Sequence, residues 1–311
     1  MSPAVAIVDI GSNTIKVLVA ARDEVGKLSV LKSGTIEARI SAGISHDEPN
    51  LSEEGMDRGL AAIQELLADS AVFAPVRAQL VATSAVRGAR NGREFAERVR
   101  RATGFELRIL TGDEEANAIG RGLTCDPALT HLQNFYVFDL GGGSLECLSF
   151  SDRKIQEAIS LPLGCVRLTE KFVADQSGPF SVEARKRIMA HTRLALAESE
   201  FRFDLPYPAA VATGGTATTV RAIHAARTGH PLDEIPTLIT LQHLCELLDY
   251  LAPLTLEQRK QVPGMPAARA DIFPAALATI LAVAETGALT AFHHSFYNLR
   301  YGLAAELLAD L

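Results

Sequence analysis

Short apolar runs, each bounded by turn residues, open the chain and lead into a long amphipathic segment. The runs cover about residues 4–10, 15–21 and 28–36, and the turns between them are GSNT and DEVGK. Apolar runs of this length, separated by such turns, are typical of β-strands. In the segment 51–69, apolar residues from Met56 to Leu67 recur at helical spacing after an acidic start. The pattern predicts three antiparallel strands followed by a helix.

The same order of elements continues through the first half and starts again after about residue 134. The first half goes on as strand, helix, strand and helix, in the stretches RAQLVAT, GREFAERVRRATG, FELRIL and DEEANAIGRGL. The second half begins with three more predicted strands, followed by two helices, a strand and a helix, at 135–139, 145–150, 154–161, 165–174, 181–201, 209–212 and from about 216. Further helices are predicted from there to the end. The chain therefore belongs to the α/β class.

A comparison of the chain with itself indicates a duplication. VAIVDIGSNTIKVL (5–18) aligns without a gap on FYVFDLGGGSLECL (135–148), which places Asp9 on Asp139 and Lys16 on Glu146. AQLVATSAVR and PAAVATGGTA form a second pair at the same offset of 130 residues. The sequence thus predicts two equivalent α/β lobes that face each other across a cleft.

The boundary between the lobes is predicted near TCDPALTHLQN, at residues 124–134. This prediction assigns residues 1–124 to an N-terminal lobe and 125–297 to a C-terminal lobe. The final helix, 298–311, is expected to complete the N-terminal lobe.

Composition excludes several classes of protein. With 311 residues, 48% hydrophobic content and a net charge of −7, the chain can bury a large core but has no global basic field for nucleic acid or a membrane surface. The four scattered cysteines and the absence of a basic, cleavable N-terminus favour free thiols in the cytoplasm. The most apolar stretch, 273–284, is too short to span a bilayer and is expected to be a buried helix.

The two glycine-containing corners, hairpin 1 (residues 11–14) and hairpin 2 (residues 141–144), are the first candidates for chemistry. A strand-turn-strand corner of this kind leaves backbone N–H groups pointing outward, and glycine lets an anion approach them. The preceding aspartate can bind Mg²⁺, which prefers one or two carboxylates together with phosphate oxygens. A plain glycine-rich turn is the alternative for either hairpin alone. Two such hairpins predict a ligand with at least two linked phosphates.

Several motifs in this order resemble a known family. DIGSNT, ATSAVRGARNG, TGDEEA, DLGGGSLE, GCVRLTEKF, VATGGTATTV, PGMPAARADIFPA and NLRYGLAAELL span almost the whole chain. They are similar to motifs of the exopolyphosphatase and guanosine pentaphosphate phosphatase family, within the sugar kinase, heat-shock chaperone and actin superfamily. The resemblance implies duplicated ribonuclease H-like lobes, as in actin-like ATPases, with a cleft between them.

The resemblance also implies roles for individual residues. Glu115 is expected to activate water, with Glu114 as the alternative, and Arg87 to clamp phosphate, although an arginine after a strand is often a solvated surface residue. The expected metal ligands for Mg²⁺ or Mn²⁺ are Asp139, Glu146 and Asp9. The expected phosphate-binding residues are Ser12, Asn13, Gly142, Gly143, Ser144, Gly214, Gly215, Thr216 and Arg193. Of these, Gly214–Thr216 forms a third small-residue loop at a helix start, suited to phosphate or a nucleotide, and Arg193 is expected to reach distal phosphates unless it belongs to an exposed basic face with residues 185–187.

Two departures from the family pattern qualify these expectations. Leu145 stands where relatives commonly have Thr or Ser, which removes one hydroxyl. The sequence ends at Leu311 without the additional C-terminal helical domains of longer members, so short polyphosphates or guanosine polyphosphates are expected substrates.

The predicted function is metal-assisted release of the terminal phosphate of inorganic polyphosphate by direct water attack. The alternatives are a guanosine pentaphosphate phosphohydrolase, a superfamily kinase that acts on a sugar hydroxyl, and a non-catalytic sensor of an alarmone or nucleotide. K⁺ as a second cofactor and a homodimeric state stay open.

Overall fold

The computed structural model describes residues 2–42, 49–206 and 208–311 and divides into two compact units. Unit 1 consists of Met1–His131 and Tyr297–Leu311, and unit 2 consists of Leu132–Phe296. The final segment of the chain therefore belongs to the same unit as the first strands. None of the helices in the described ranges combines the length and the apolar character needed to cross a bilayer.

Unit 1 is built on a five-stranded sheet. Its strands are β1 (Ala4–Ile10), β2 (Ile15–Arg22), β3 (Leu28–Ile36), β4 (Arg77–Ala82) and β5 (Leu107–Ile109), in the order β3-β2-β1-β4-β5. The first three strands are antiparallel, whereas β4 and β5 run parallel to β1. β1 and β2 are almost continuously apolar and buried, as expected for central strands covered on both faces.

The helices of unit 1 pack on this sheet and start at recognisable caps. They are α1 (Glu53–Ala71), α2 (Ser84–Gly88), α3 (Gly92–Thr103), α4 (Gly112–Thr124) and α11 (Leu299–Ala309). Ser52 caps α1 by accepting from the Gly55 amide, and Thr111 caps α4 in a capping box. Met56, Ile63 and Leu66 of α1 pack into the core against the sheet.

Unit 2 is built on a six-stranded sheet of the same plan. Its strands are β6 (Phe135–Leu140), β7 (Leu145–Ser151), β8 (Lys154–Leu161), β9 (Ala209–Thr213), β10 (Leu238–Thr240) and β11 (Ala291–His294), in the order β10-β11-β9-β6-β7-β8. β9 runs parallel to β6, and β11 runs parallel to β9.

Among the described residues of unit 2, six α-helices pack on the sheet and enclose a second core. They are α5 (Cys165–Phe172), α6 (Val182–Glu198), α7 (Gly214–Thr228), α8 (Leu241–Leu251), α9 (Leu256–Lys260) and α10 (Phe273–Thr286). In α10, the residues from Phe273 to Ala284 are buried, which agrees with the buried helix predicted for 273–284.

Both units share the ribonuclease H-like order of three antiparallel strands followed by parallel strands, so the predicted duplicated α/β fold is confirmed. The duplication is not uniform, however. Asp9 lies opposite Val81, whereas Asp139 lies opposite Thr213, two residues beyond the position that a constant offset of 130 gives. Because side chains alternate with a period of two, this shift keeps the same residues on each face of the sheet.

The prediction of helices alone after residue 216 is wrong at two places. β10 and β11 form an antiparallel pair at one edge of the unit 2 sheet. His293 and His294, predicted to lie on different sides of a helix, are strand residues in β11. Their alternation places His293 partly exposed and His294 in the interior.

Candidate active site

Three parallel strands of unit 1 end in register at one edge of the sheet. Ile10 of β1 lies opposite Ala82 of β4, which in turn lies opposite Ile109 of β5. Hairpin 1, helix α2 and helix α4 follow these three strand ends directly. Ligands of open α/β sheets bind at this carboxyl edge, so the sheet itself brings the candidate residues of unit 1 together.

Hairpin 1 presents its amide groups and uses its carbonyl groups for structure. The Gly11 amide donates to the Thr14 carbonyl at 3.1 Å, which closes the corner. The carbonyls of Ser12 and Asn13 accept from the amides of Ser41 and Arg39. Within the described ranges, the Ser12 amide and the buried Asn13 side-chain amide have no hydrogen-bond partner. This arrangement suits an anion ligand, because buried polar groups are normally paired.

Arg87 and Glu115 form a partly buried ion pair at the same edge. Arg87 Nη1 lies 2.7 Å from Glu115 Oε2 and also donates to the Leu110 carbonyl at 2.9 Å. The Glu115 side chain is only 8% exposed, whereas that of Arg87 is 25% exposed. The two residues come from the start of α4 and from α2, so the structure joins residues that are 28 positions apart in sequence.

Glu114, the alternative candidate base, is engaged in a structural role. It accepts from the Thr111 amide at 2.8 Å in the capping box and pairs with Arg108 at 2.6 Å. The Thr111 amide, followed by Arg108, lowers the pKa of the Glu114 carboxyl. The structure thus separates two neighbouring glutamates, of which Glu115 is the one in the interior.

Asp9 lies among positive charges. Its register partner in β2 is Lys16, and Arg300 of α11 also acts on it. Burial raises the pKa of the Asp9 carboxyl, while Lys16 and Arg300 oppose that rise. Two nearby cations already compensate this carboxylate, so its surroundings suit a structural role better than direct metal binding. Asp9 as a metal ligand stays a prediction.

Hairpin 2 is closed in the same way as hairpin 1 but rests on a helix. The Gly141 amide donates to the Ser144 carbonyl at 3.0 Å. The carbonyls of Gly141 and Gly142 accept from the first amides of α5, those of Cys165 and Val166.

The amides of hairpin 2 do not take part in the backbone hydrogen bonds that hold the hairpin. In the part of the chain that the structure describes, the amides of Gly142, Gly143 and Ser144 have no backbone acceptor. Gly164 is required beneath the hairpin because a Cβ there would overlap the backbone of Gly142 and Gly143.

Asp139 and Glu146 lie directly opposite each other on β6 and β7. Residues opposite each other on an antiparallel pair lie about 5 Å apart at their Cβ atoms. Glu146 is 2% exposed, and Ser160 Oγ donates to its Oε1 at 2.7 Å. Gly214 makes room for Asp139: it has a φ of +82°, and a Cβ there would overlap Asp139 Oδ1. These two carboxylates form the donor set that best fits a divalent cation.

The donor set is small. Among the described residues, no group of three or more His, Cys, Asp or Glu side chains is placed to bind a metal ion. Two carboxylates are nevertheless a common protein contribution to Mg²⁺ when phosphate and water supply the remaining ligands. The residues therefore fit Mg²⁺ or Mn²⁺ bound together with a phosphate ligand, which stays a prediction.

The third predicted loop, Gly214–Thr216, is largely occupied by protein groups. Gly214 contacts Asp139, and Thr216 is buried with its hydroxyl donating to the Leu140 carbonyl at 3.2 Å. Gly215 lies against the Arg269 guanidinium, where a Cβ would overlap Arg269 Nη2. The two glycines admit side chains of unit 2, and a direct phosphate contact by this loop stays a prediction.

Arg269 is a candidate that the sequence analysis did not identify. It is 9% exposed, and within the described residues its guanidinium forms no hydrogen bond or ion pair. Besides contacting Gly215, it lies near Cys165 at the base of hairpin 2. Burial raises the pKa of the Cys165 thiol to about 11, and the positive charge of Arg269 partly opposes that rise. A signal was present in the motif PGMPAARADIFPA, but nothing in that stretch alone linked it to hairpin 2.

Arg193 lies on α6, and its Nη2 pairs with Glu285 Oε2 of α10 at 2.6 Å. Both side chains are 47% exposed, on the packed pair of helices α6 and α10. The structure does not join Arg193 to the group around Asp139, and its predicted role toward distal phosphates remains untested.

Comparisons with known proteins show which family and which solved structures this chain resembles. A model of the Ppx/GppA phosphatase family matches residues 18–310. The solved structure of an Aquifex aeolicus PPX-GPPA enzyme is similar at 26% identity with a TM-score of 0.79, over 98% of this chain and all of that one. An exopolyphosphatase from Cytophaga hutchinsonii shares the fold at 23% identity with a TM-score of 0.89, over 99% of this chain and 98% of the other.

Proposed function

Because the chain belongs to the Ppx/GppA phosphatase family, we propose that it releases the terminal phosphate of inorganic polyphosphate by direct attack of water. The observation that carries the proposal is the buried Glu115 carboxylate, paired with Arg87 at the edge where β1, β4 and β5 end. Hydrolysis of a phosphoanhydride requires a positioned water, a proton acceptor and stabilisation of charge.

Unit 1 supplies the proton acceptor. A water molecule that donates to Glu115 attacks the terminal phosphorus, its proton passes to the carboxylate, and the bridging P–O bond breaks with its electrons going to the shortened chain. Arg87 fixes one oxygen of Glu115 and offers its remaining N–H groups to phosphate oxygens, a geometry for which a guanidinium is better suited than an ammonium. The amides of hairpin 1 add neutral donors.

Unit 2 supplies carboxylates and further phosphate donors. Asp139 and Glu146 would bind the Mg²⁺, which when bound neutralises charge on the phosphate oxygens. Hairpin 2 offers the amides of Gly142, Gly143 and Ser144, and Arg269 offers a guanidinium without a carboxylate partner among the described residues. In unit 2, these groups are suited to hold and orient phosphate.

The donors favour polyphosphate as the substrate class. Amides and guanidinium groups recognise phosphate oxygens, and polyphosphate presents only these along its length. A guanosine pentaphosphate shares this chemistry at its phosphate groups and is the second candidate. A sensor that does not turn over its ligand needs the hairpins but has no use for a buried, arginine-paired carboxylate such as Glu115.

A substrate comparison tests the proposal. Phosphate release is measured with Mg²⁺ from polyphosphates of defined length and from guanosine pentaphosphate, and we expect a higher kcat/KM for polyphosphate. A higher kcat/KM for guanosine pentaphosphate would reverse the two candidates. Tight binding of either ligand without phosphate release would identify a sensor.

A further inference from the structure

Arg221 of α7 is a buried cation whose partners are unusual. Its Nη1 donates to Nδ1 of His294 at 3.0 Å, and its Nη2 donates to the carbonyls of Leu232 and Ile235. The guanidinium also lies 5.7 Å from the Phe296 ring centroid. It is 3% exposed and forms no ion pair with any of the described residues. Burying a charged guanidinium without a carboxylate partner is costly. The hydrogen bonds that Arg221 does make therefore indicate its role.

The direction of each hydrogen bond from Arg221 is fixed by chemistry. Arginine only donates, so Nδ1 of His294 must accept and the proton of the neutral ring lies on Nε2. Nε2 then donates to Thr218 Oγ1 at 3.2 Å, and the Thr218 hydroxyl donates to the Gly214 carbonyl at 2.9 Å. Burial and the positive charge of Arg221 lower the pKa of His294 to about 3, which keeps the ring neutral. We call these residues, Arg221, His294, Thr218 and Gly214, the α7 hydrogen-bond chain.

The α7 hydrogen-bond chain ends on the backbone that contacts Asp139. Gly214 is in the left-handed region at φ +82°, and Asp139 Oδ1 occupies the space that a Cβ at this position would fill. Thr213, the preceding residue, lies opposite Asp139 on the neighbouring parallel strand. The Thr218 hydroxyl thus fixes the Gly214 carbonyl, and the Asp139 carboxylate packs against the Gly214 Cα.

We propose that His294, fixed by Arg221, is a positioning residue that acts through Thr218 and Gly214 to set the Asp139 carboxylate for metal binding. The inference rests on the proposed function only in that Asp139 is taken as a ligand of the metal. When a residue that orients a metal-ligating side chain is removed, metal affinity or activity typically falls by about 10- to 100-fold.

Other threonines provide the comparison that separates positioning from helix stability. Thr279 makes the same bond to a carbonyl four residues earlier, that of Ala275 at 2.8 Å, and is fully buried in α10. Within the described residues it has no further partner. Thr279→Val therefore removes a buried hydroxyl of the same kind outside the α7 hydrogen-bond chain, and it serves as the matched control for Thr218→Val.

The experiment measures Mn²⁺ binding directly, by electron paramagnetic resonance, together with phosphate release from polyphosphate at varied Mg²⁺. We expect Thr218→Val and His294→Leu to raise the Mn²⁺ Kd and the Mg²⁺ concentration for half-maximal rate by about tenfold. Thr218→Ser keeps the hydroxyl, and His294→Gln keeps an acceptor and a donor at similar positions. Both should stay close to wild type, as should Thr279→Val.

The outcomes separate the positioning role from the proposed function. If Thr218→Val and His294→Leu fold and bind Mn²⁺ as tightly as Thr279→Val, the positioning role is overturned whatever the activity. Mn²⁺ binding that depends on the α7 hydrogen-bond chain, in a protein that releases no phosphate, would support the positioning role and reject the proposed hydrolase. Failure of the wild type to bind Mn²⁺ would overturn the assignment of Asp139, and the positioning role with it.

Discussion

Hairpin 1 and hairpin 2 share one backbone geometry but differ in the charge of the residue pair beside them. In each, an aspartate near the end of the first strand lies opposite the second residue of the next strand: Asp9 opposite Lys16, and Asp139 opposite Glu146. In unit 1 the pair is a carboxylate beside a cation, whereas in unit 2 it is two carboxylates. One substitution at an equivalent position therefore decides whether the site neutralises itself or requires an external cation.

The structures that follow the parallel strands differ as well. In unit 1, β4 leads into the short helix α2 that carries Arg87 to Glu115. In unit 2, β9 leads into the long helix α7, whose first residue is the glycine that accommodates Asp139. The comparison teaches that the two halves of a duplicated fold carry different candidate groups. Unit 1 has the candidate base and unit 2 has the candidate metal ligands.

The largest expected effect comes from the base of unit 1. Glu115→Gln should lower kcat for phosphate release by about 10³-fold, because the amide cannot accept the proton from water. Glu114→Gln is the matched control, and it should retain nearly full activity, since Glu114 caps α4 and pairs with Arg108. Similar losses in the two variants would contradict the division of roles between these neighbours.

The next effect tests the charge difference between the hairpins. Glu146→Gln should lower kcat/KM by about 100-fold and raise the Mg²⁺ requirement, because one of two facing carboxylates is lost. Glu146→Lys, which installs the unit 1 residue, should abolish the response to Mg²⁺. Glu157→Gln, on the same sheet where Glu157 accepts from the Arg202 amide, is the control for folding. Activity independent of Glu146 would show that the two hairpins do not differ in function.

A smaller effect is expected from the arginines of unit 2. Arg269→Lys should raise KM for polyphosphate about tenfold, since a hydrogen bond to a charged group contributes about 1.5 kcal/mol. Arg193→Lys should change KM by less than Arg269→Lys, because Arg193 already pairs with Glu285. The reverse order in a titration of initial rates would favour Arg193 as the contact to distal phosphates.

The last prediction concerns stability rather than activity and is specific to unit 2. The folded pKa of His294, about 3, is below its ordinary value of 6.5, so the unfolded chain binds more protons between these pH values. Stability should therefore fall on acidification from pH 6.5, by about 1.4 kcal/mol per pH unit from this one group. Urea unfolding of wild type and His294→Gln across pH 4 to 7 should show this difference in slope. Parallel curves would mean that His294 is not buried as a neutral ring.

The sequence predicted the elements whose pattern is local. Strands β1, β2, β6 and β7 are long apolar runs that flank glycine turns, so both hairpins and the antiparallel strands that open each unit followed from pattern and duplication. Strands β10 and β11 have three and four residues and are paired only through contacts distant in sequence, so no local period marked them.

The candidate site was predictable only in part. Arg87 and Glu115 were identified through motifs, but their contact at 2.7 Å depends on the register of three strands. Arg269 and His294 were missed because each acquires its role from a residue more than 50 positions away, Gly215 and Arg221 respectively. Burial of a cation without a carboxylate partner is a property of packing, and composition does not reveal it.

The placement of α11 has a consequence for how the chain is made. This helix packs backbone to backbone on α4 of unit 1, where a Cβ at Gly302 would overlap the Ala118 carbonyl, yet it follows all of unit 2 along the chain. During synthesis, the five strands of unit 1 leave the ribosome before α11, so the unit cannot be completed until α11 has been made. The uninterrupted segment Leu132–Phe296 can finish folding earlier. The unit with the candidate base is thus the last to mature, so a nascent or interrupted chain would have unit 2 before it has a complete unit 1.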